Sequence, residues 1–245
     1  DKYKVYGELI NTYGYNLEPG SKELTALNYY TNEEITIPLD PTQTPGENAQ
    51  RYFAKYNKQK RTFEALTELI QETADDIQYL ESISNALDIA LNEADLAQIK
   101  EELMQSGYIR RKHTKKKVKL TSKPMHYISS DGYDMYVGKN NLQNEELTFS
   151  FANGNDWWFH AKGAPGSHVI VKSGGDELPD RTFEEAGRLA AYYSKNRGAD
   201  KVEIDYIQKK HVKKPNGAKP GFVVYYTNYS LVIDSDISNI KNVQD

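Results

Sequence analysis

Cysteine is absent from the 245 residues, which excludes disulfide frameworks, thiolate metal sites and thiol nucleophiles together and fits a reducing compartment. No run approaches the roughly 18 apolar residues of a membrane span, so the chain reads as soluble, with no membrane insertion. Hydrophobic residues supply only 38% of the chain, so apolar burial must be concentrated in part of it, and an elongated molecule is expected. The chain opens at Asp1, with no initiator Met and no basic segment leading into an apolar one, which reads as a fragment or a processed chain.

What is present is an asymmetry of charge. Residues 1–107 carry 9 Lys+Arg against 19 Asp+Glu, net −10, while residues 108–245 carry 22 against 16, net +6. All five histidines lie in the basic half. Clustered cations of this kind are expected of a surface that meets an anionic partner.

Along the acidic half, Tyr3, Tyr6, Leu9, Ile10 and Tyr13 are spaced as the end of a helix. Residues 24–30 and 34–39 predict a hairpin around Thr31-Asn32-Glu33. Thr44, Pro45 and Glu47 then form a capping box at the start of a long helix. Heptad positions Tyr56, Phe63, Ile70, Ile77, Ser84 and Leu91, with Leu66, Thr73, Leu80 and Leu87, make a nearly continuous seam. A single helix over 45–91 would be about 70 Å long, against roughly 46 Å for a compact globule of this length. Its seam needs a partner longer than either segment 1–15 or a second helix at 93–106, opened by Asn92. The expectations are an upstream helix of the intact protein, a homodimer through the orphan coiled coil, or a fold-back at Asp75-Asp76 or Ser82-Ile83-Ser84.

Residues 110–123 hold eight Lys or Arg and no acid, and read as a linker over 108–124. Beyond it, β-prone runs at 125–129, 134–138, 146–151, 157–161, 167–172, 202–207, 221–227 and 230–234 surround one helix near 182–197 with a Thr182-to-Glu185 capping box. The fold class predicted is α+β: a long helical coiled-coil arm with a small β-hairpin subdomain, then an α+β domain with a mostly antiparallel sheet.

Asp156, His160, His168 and Asp176 are the candidates for a metal or acid–base centre, but no His-Glu-x-x-His spacing supports one. His160 and His168 can approach across the Gly163–Gly166 turn, where hydrogen-bonded structural or ligand-contact histidines are the ordinary outcome. That turn leads into a strand, so neither a dinucleotide fingerprint nor a phosphate loop is satisfied. Ser167 and His168 are adjacent in a β-run and point to opposite faces, which argues against a nucleophile–base pair. The stronger signal is Lys209-Lys210-His211-Val212-Lys213-Lys214, a positive loop beside Trp157, Trp158, Phe159, Tyr192, Tyr193, Tyr225 and Tyr226. Phosphate neutralisation with base stacking suits RNA; the alternative is core aromatics and a solvated loop.

Two stretches carry a specific resemblance. One is Leu39-Asp40-Pro41-x-x-Thr44-Pro45-x-Glu47-Asn48-Ala49-Gln50-x-Tyr52-Phe53. The other runs from Ser130-Asp131-Gly132 through Val137-Gly138-Lys139-Asn140-Asn141 and Asn144-Glu145 to Asp156-x-Trp158-x-His160-Ala161-Lys162-x-x-Pro165-Gly166-Ser167-His168-Val169, with Lys213-Lys214-Pro215-x-Gly217-x-x-Pro220-Gly221 downstream. This resembles the NFACT family over nearly the whole chain.

The resemblance implies the C-terminal half of a longer protein: a coiled-coil arm with its middle hairpin subdomain over 1–107, and the family's RNA-binding domain over 125–245. It implies a cytoplasmic, non-enzymatic factor without cofactors. Its partners would be large-subunit ribosomal RNA, tRNA and the missing N-terminal half, and its role the mRNA-independent alanine tailing of stalled chains. On matching positions it implies RNA contacts from His160, Lys162, Ser167 and His168, with Lys209, Lys210, Lys213 and Lys214 on phosphates and Asp156 orienting them. Streptococcal relatives are also described as surface adhesins, so the resemblance carries a second expectation: binding of host fibronectin at the cell surface.

Overall fold

In a computed structural model the described residues are 1–110 and 121–243. They form two compact units that divide at Asp75/Asp76. Most of the expected linker, residues 111–120, lies outside the described residues.

The first unit holds helix α1 (Lys2–Tyr13), strands β1 (Glu23–Asn28) and β2 (Glu33–Pro38), and the start of helix α2 (Pro45–Ile89). The hairpin is the predicted one, with Glu23 opposite Pro38, Asn28 opposite Glu33, and Asn32 at φ 58° in the turn. Alternation along β1 turns Leu24 and Ala26 inward onto Leu9 and Ile10 of α1, Ile37 of β2 and Ala49 and Tyr52 of α2. The capping box forms: Glu47 N–H donates to Thr44 Oγ1 at 3.2 Å, and Thr44 N–H to Glu47 Oε2 at 2.7 Å.

Helix α2 runs from Pro45 to Ile89, with no break at Ser82–Ser84 within the second unit. In the second unit its end pairs with helix α3 (Glu93–Gln105), capped by Asn92 as expected. Tyr79, Ile83 and Ala86, spaced i, i+4, i+7, face Ile99. The heptad seam stays exposed at Phe63, Leu66, Ile70, Ile77, Leu80, Leu87 and Leu91.

The rest of this unit is an antiparallel seven-stranded sheet, ordered β8-β7-β5-β6-β4-β3-β9. Its strands are β3 (Met125–Ile128), β4 (Asp134–Val137), β5 (Trp157–Ala161), β6 (Val169–Val171), β7 (Val202–Gln208), β8 (Tyr229–Ile233) and β9 (Lys241–Asn242). Helix α5 (Asp180–Tyr192) covers one face, where Ala186, Leu189 and Ala190 meet Phe159, Val169, Val171 and Ile204. On the other face Trp158, Ile170 and Ile207 are roofed by Leu147, Val212, Val223 and Tyr225.

Three expectations fail here. Residues 146–151 are not a strand: they end helix α4 (Asn141–Glu146) and form a π-helical turn, Leu147–Phe151. Asn140 caps α4 by accepting from Gln143 N–H, and the Gln143 side chain accepts from Lys139 N–H, so capping chemistry overrides the β-prone Leu-Thr-Phe-Ser-Phe. Residues 221–227 form no ladder beyond a bridge between Lys213 and Val224, because Gly221 bends the chain at φ +77°, where an added Cβ would strike Asn141. Helix α5 begins at Asp180, two residues early, so Thr182 donates to Asp131 and Glu185 clamps Ser130 N–H and Oγ instead of closing a capping box.

A buried polar network ties α3 to the Gly138–Asn144 segment. Lys139 Nζ donates to Asp95 Oδ1 at 2.6 Å, both side chains nearly inaccessible, and Ser122 Oγ donates to the same oxygen. Gln98 Oε1 accepts from Asn140 and Gln143, and Glu102 Oε1 from Asn141 and Tyr79. Burial opposes the Asp95 charge, yet the bonds from Lys139, Ser122 and Leu91 hold its carboxyl below the ordinary range. Burial raises Glu102, against bonds from Asn141 and Tyr79.

Candidate nucleic-acid interface

The predicted site residues separate into three places along β5. At its C-terminal end His160 and His168 do meet, ring centroids 5.5 Å apart and edge to face, with His160 stacked on Trp158. His168 is buried, its Nδ1 2.8 Å from Thr148 Oγ1, and its N–H donates to Asn144 Oδ1 at 3.0 Å. That carboxamide sits where Gly138 leaves room, since a Cβ there would lie 2.2 Å from Asn144 Oδ1. Burial pushes His160 down to about 4 and His168 well below the usual value, so both rings are neutral at physiological pH and supply no cation. Ser167 is buried, with no partner for its hydroxyl among the described residues. Ser167 and His168 are interior residues, and His160 is half-buried. No group of three His, Asp or Glu among the described residues is arranged to hold a metal.

Lys162 stands just past this end of β5, exposed and paired with Glu203 at 2.5 Å. Burial-free pairing raises its affinity for its proton. The register places Ala161 opposite Ile204 and Trp157 opposite Gln208, so Lys162 and Lys209 lie at opposite ends of the strand, about 17 Å apart at 3.3 Å per residue. They do not form one site.

The other end is where the cations gather. β7 runs into a short 3₁₀ turn, Lys209–His211. The turn docks by its backbone: Lys209 N–H donates to the Asp156 carbonyl at 2.8 Å and Lys210 N–H to the Gly154 carbonyl at 3.0 Å. Asp156 is buried; its carboxylate accepts from Asn153 N–H at 2.7 Å, Ser173 N–H at 3.1 Å and Lys172 Nζ at 2.5 Å. One acid thus fixes the Asn153–Asp156 turn and, through it, the two lysines. No carboxylate pairs with Lys209 or Lys210 among the described residues, and Lys213 is exposed beside its bridge to Val224. Lys214 is half-spent on Glu145 at 2.7 Å.

Downstream, Lys219 anchors the same loop: its Nζ donates to Asp76 and to Tyr108 Oη, and lies 4.7 and 5.1 Å from the ring centroids of Tyr79 and Tyr108. Of the aromatics expected to stack on bases, Trp158, Phe159 and Tyr193 are core, and Tyr225 donates from under the loop to Asp205. Tyr226 is open to solvent. The ring that meets Lys209 is the half-buried Phe149, from the segment expected to be a strand, so its signal was the Asn140-x-x-Gln143 cap upstream of it.

A profile of the NFACT N-terminal and middle domains matches residues 1–122, and one of the NFACT protein RNA-binding domain matches residues 123–226. The chain belongs to the NFACT family. It is 42% identical to the Rqc2 homolog RqcH of Streptococcus pneumoniae over 245 residues, all of this chain and 44% of that protein. Against the Rqc2 homolog RqcH of Bacillus subtilis it is 40% identical over 246 residues, covering 98% and 42%. This NFACT chain therefore spans less than half the length of these curated relatives. A solved structure, the C-terminal part of the fibronectin/fibrinogen-binding protein of Streptococcus suis, is similar at TM-score 0.72 and 37% identity, covering 96% of this chain and 83% of that one. Among the described residues no helix is long and apolar enough to cross a membrane.

Proposed function

We propose that this chain is the RNA-contacting part of an RqcH-type factor of ribosome-associated quality control, working in the cytoplasm. The intact protein binds large ribosomal subunits obstructed by peptidyl-tRNA and supports mRNA-independent addition of alanine to the stalled chain. It acts as a binding factor rather than an enzyme, with peptidyl transfer left to the ribosome. The observation that carries the reading is the 3₁₀ turn that presents Lys209 and Lys210 without carboxylate partners, inside a domain that matches an RNA-binding profile. Lysines fixed by their backbones meet phosphates at low ordering cost, and Lys213 and Lys214 extend the same positive edge. Ser167 and His168 support the strand ends from inside, half-buried His160 packs on Trp158, and Lys162 is a separate contact.

A second reading, binding of fibronectin, is favoured by the name carried by the similar Streptococcus suis structure. Titrating the chain against ribosomal RNA and against immobilised fibronectin, with each as competitor of the other, separates the two. Saturable RNA binding that weakens with salt and resists fibronectin supports the first reading; fibronectin binding with no RNA binding replaces it by the second.

A further inference from the structure

The basic turn continues into a row of rings. Lys209 Nζ lies 5.9 Å from the centroid of Phe149. Phe149 and Phe151 both leave the π-helical turn; Phe151 is 41% exposed and meets Tyr136 edge to face at 4.7 Å. Tyr136 in turn lies flat on His126, centroids 4.5 Å apart and planes within 3°. The pair is fixed by register, since His126 and Tyr136 are direct cross-strand partners. Lys172 Nζ stands 4.8 Å from the Phe151 centroid, its charge matched by Asp156.

Folding accounts for part of this row, since Phe149 and Tyr136 pack against the Trp158–Ile170 cluster and His126 bonds Asp134 at 2.6 Å, but not for the exposed ring of Phe151. A π-turn interrupts regular helix hydrogen bonding and is frequent at functional sites, and here it ends on the exposed Phe151. Exposing such a ring to water forgoes the burial its side chain would otherwise contribute. The arrangement places the Lys209 ammonium, without a carboxylate partner among the described residues, at one end of the row, and the half-exposed rings of Phe151, Tyr136 and His126 along the rest.

We infer that Phe151, Tyr136 and His126 form a stacking platform for unpaired nucleobases of an RNA strand whose phosphates are held by Lys209 and Lys210. The inference rests on the RNA-binding reading above and narrows it to RNA with a single-stranded segment. Every base has a π-face, so stacking accepts any sequence, whereas bases closed in a duplex present only edges and backbone. Phe149 links the two parts by carrying the Lys209 ammonium on its ring face.

The test is fluorescence-anisotropy titration of the chain with a short single-stranded oligoadenylate, the same strand with abasic sites, and a blunt duplex, each over a salt series. Phe151→Ala is an exposed substitution, and Phe151→Trp restores a ring. The platform predicts that Phe151→Ala weakens the intact single strand about tenfold, leaves the abasic strand, the duplex and the salt slope unchanged, and is rescued by Phe151→Trp. Lys209→Ala with Lys210→Ala instead lowers the salt slope for all three probes. If Phe151→Ala binds the single strand like the parent while the lysine variant is impaired, RNA binding stands and the platform falls. Equal loss on single strand and duplex makes Phe151 a support of the basic turn and also removes the platform. A parent chain that binds none of the probes overturns the RNA reading and the platform together.

Discussion

Lys209 is held by Asp156 without any contact between their charges. The lysine's backbone N–H donates to the acid's carbonyl at 2.8 Å, while the acid's carboxylate is occupied by Lys172 and the Asn153 and Ser173 backbone amides. The consequence is a lysine whose backbone is fixed and whose ammonium, over the Phe149 ring, has no carboxylate partner among the described residues.

Removing those ammonium groups is expected to change the salt dependence of RNA binding before anything else. Each phosphate contact to a single strand contributes about 0.7 to the slope of log affinity against log salt, so Lys209→Ala with Lys210→Ala should flatten it by about 1.4. Binding isotherms over a salt series read this directly, with the fold checked by circular dichroism.

Asp156→Asn should act through position rather than charge at the interface. It leaves Lys172 without its buried carboxylate and loosens the 153–156 turn, so the expected result is faster amide exchange at Lys209 and Lys210 and weaker RNA binding with little change of salt slope. Hydrogen exchange followed by mass spectrometry distinguishes this from simple charge loss.

The Asp95–Lys139 pair predicts a large stability effect. Lys139→Met strands a buried carboxylate and should cost about 3 kcal/mol or more, and adding Asp95→Asn should recover part of it. Denaturant midpoints of the two variants check the order.

Glu102 gives the opposite pH sign to a surface acid. Burial raises its folded pKa above the ordinary 4.5, so the unfolded chain releases the proton first. Stability should therefore fall as pH rises from about 4.5 through the raised folded value, and Glu102→Gln should abolish that component. His160 works the other way: with a folded pKa of about 4 against an ordinary 6.5, it contributes stability above 6.5 that is lost as pH falls toward 4. Melting curves of parent and Glu102→Gln, with histidine NMR titration to assign the second effect, separate them.

How much of this could be read from the residues differs by mechanism. The hairpin, the Thr44–Glu47 box, α3 with its Asn92 cap and most strands follow from local patterns, and the structure has them. What misled was a local pattern outvoted by a tertiary or capping partner. Thr182 and Glu185 spell a capping box, yet both side chains are claimed by the Ser129–Gly132 turn, which no sequence window contains. Leu147–Phe151 alternates like a strand, yet follows a capped helix. At the site, the lysine cluster was legible because charge runs are. Its segregation from Lys162 and the interior placement of Ser167 and His168 were not, because both depend on which end of β5 each residue occupies and on what lies over the sheet. The heptad seam was legible as well, but the face of α2 that packs on α3 is the Tyr79–Ile83–Ala86 face.

The most direct test is co-pelleting of the chain, and of its Lys209→Ala/Lys210→Ala variant, with purified large ribosomal subunits over a salt series. The account predicts saturable pelleting of the parent chain that weakens as salt rises, and a variant with lower affinity and a flatter salt slope. Pelleting that is identical for both proteins, or absent for the parent, would contradict the assignment of RNA contact to this turn.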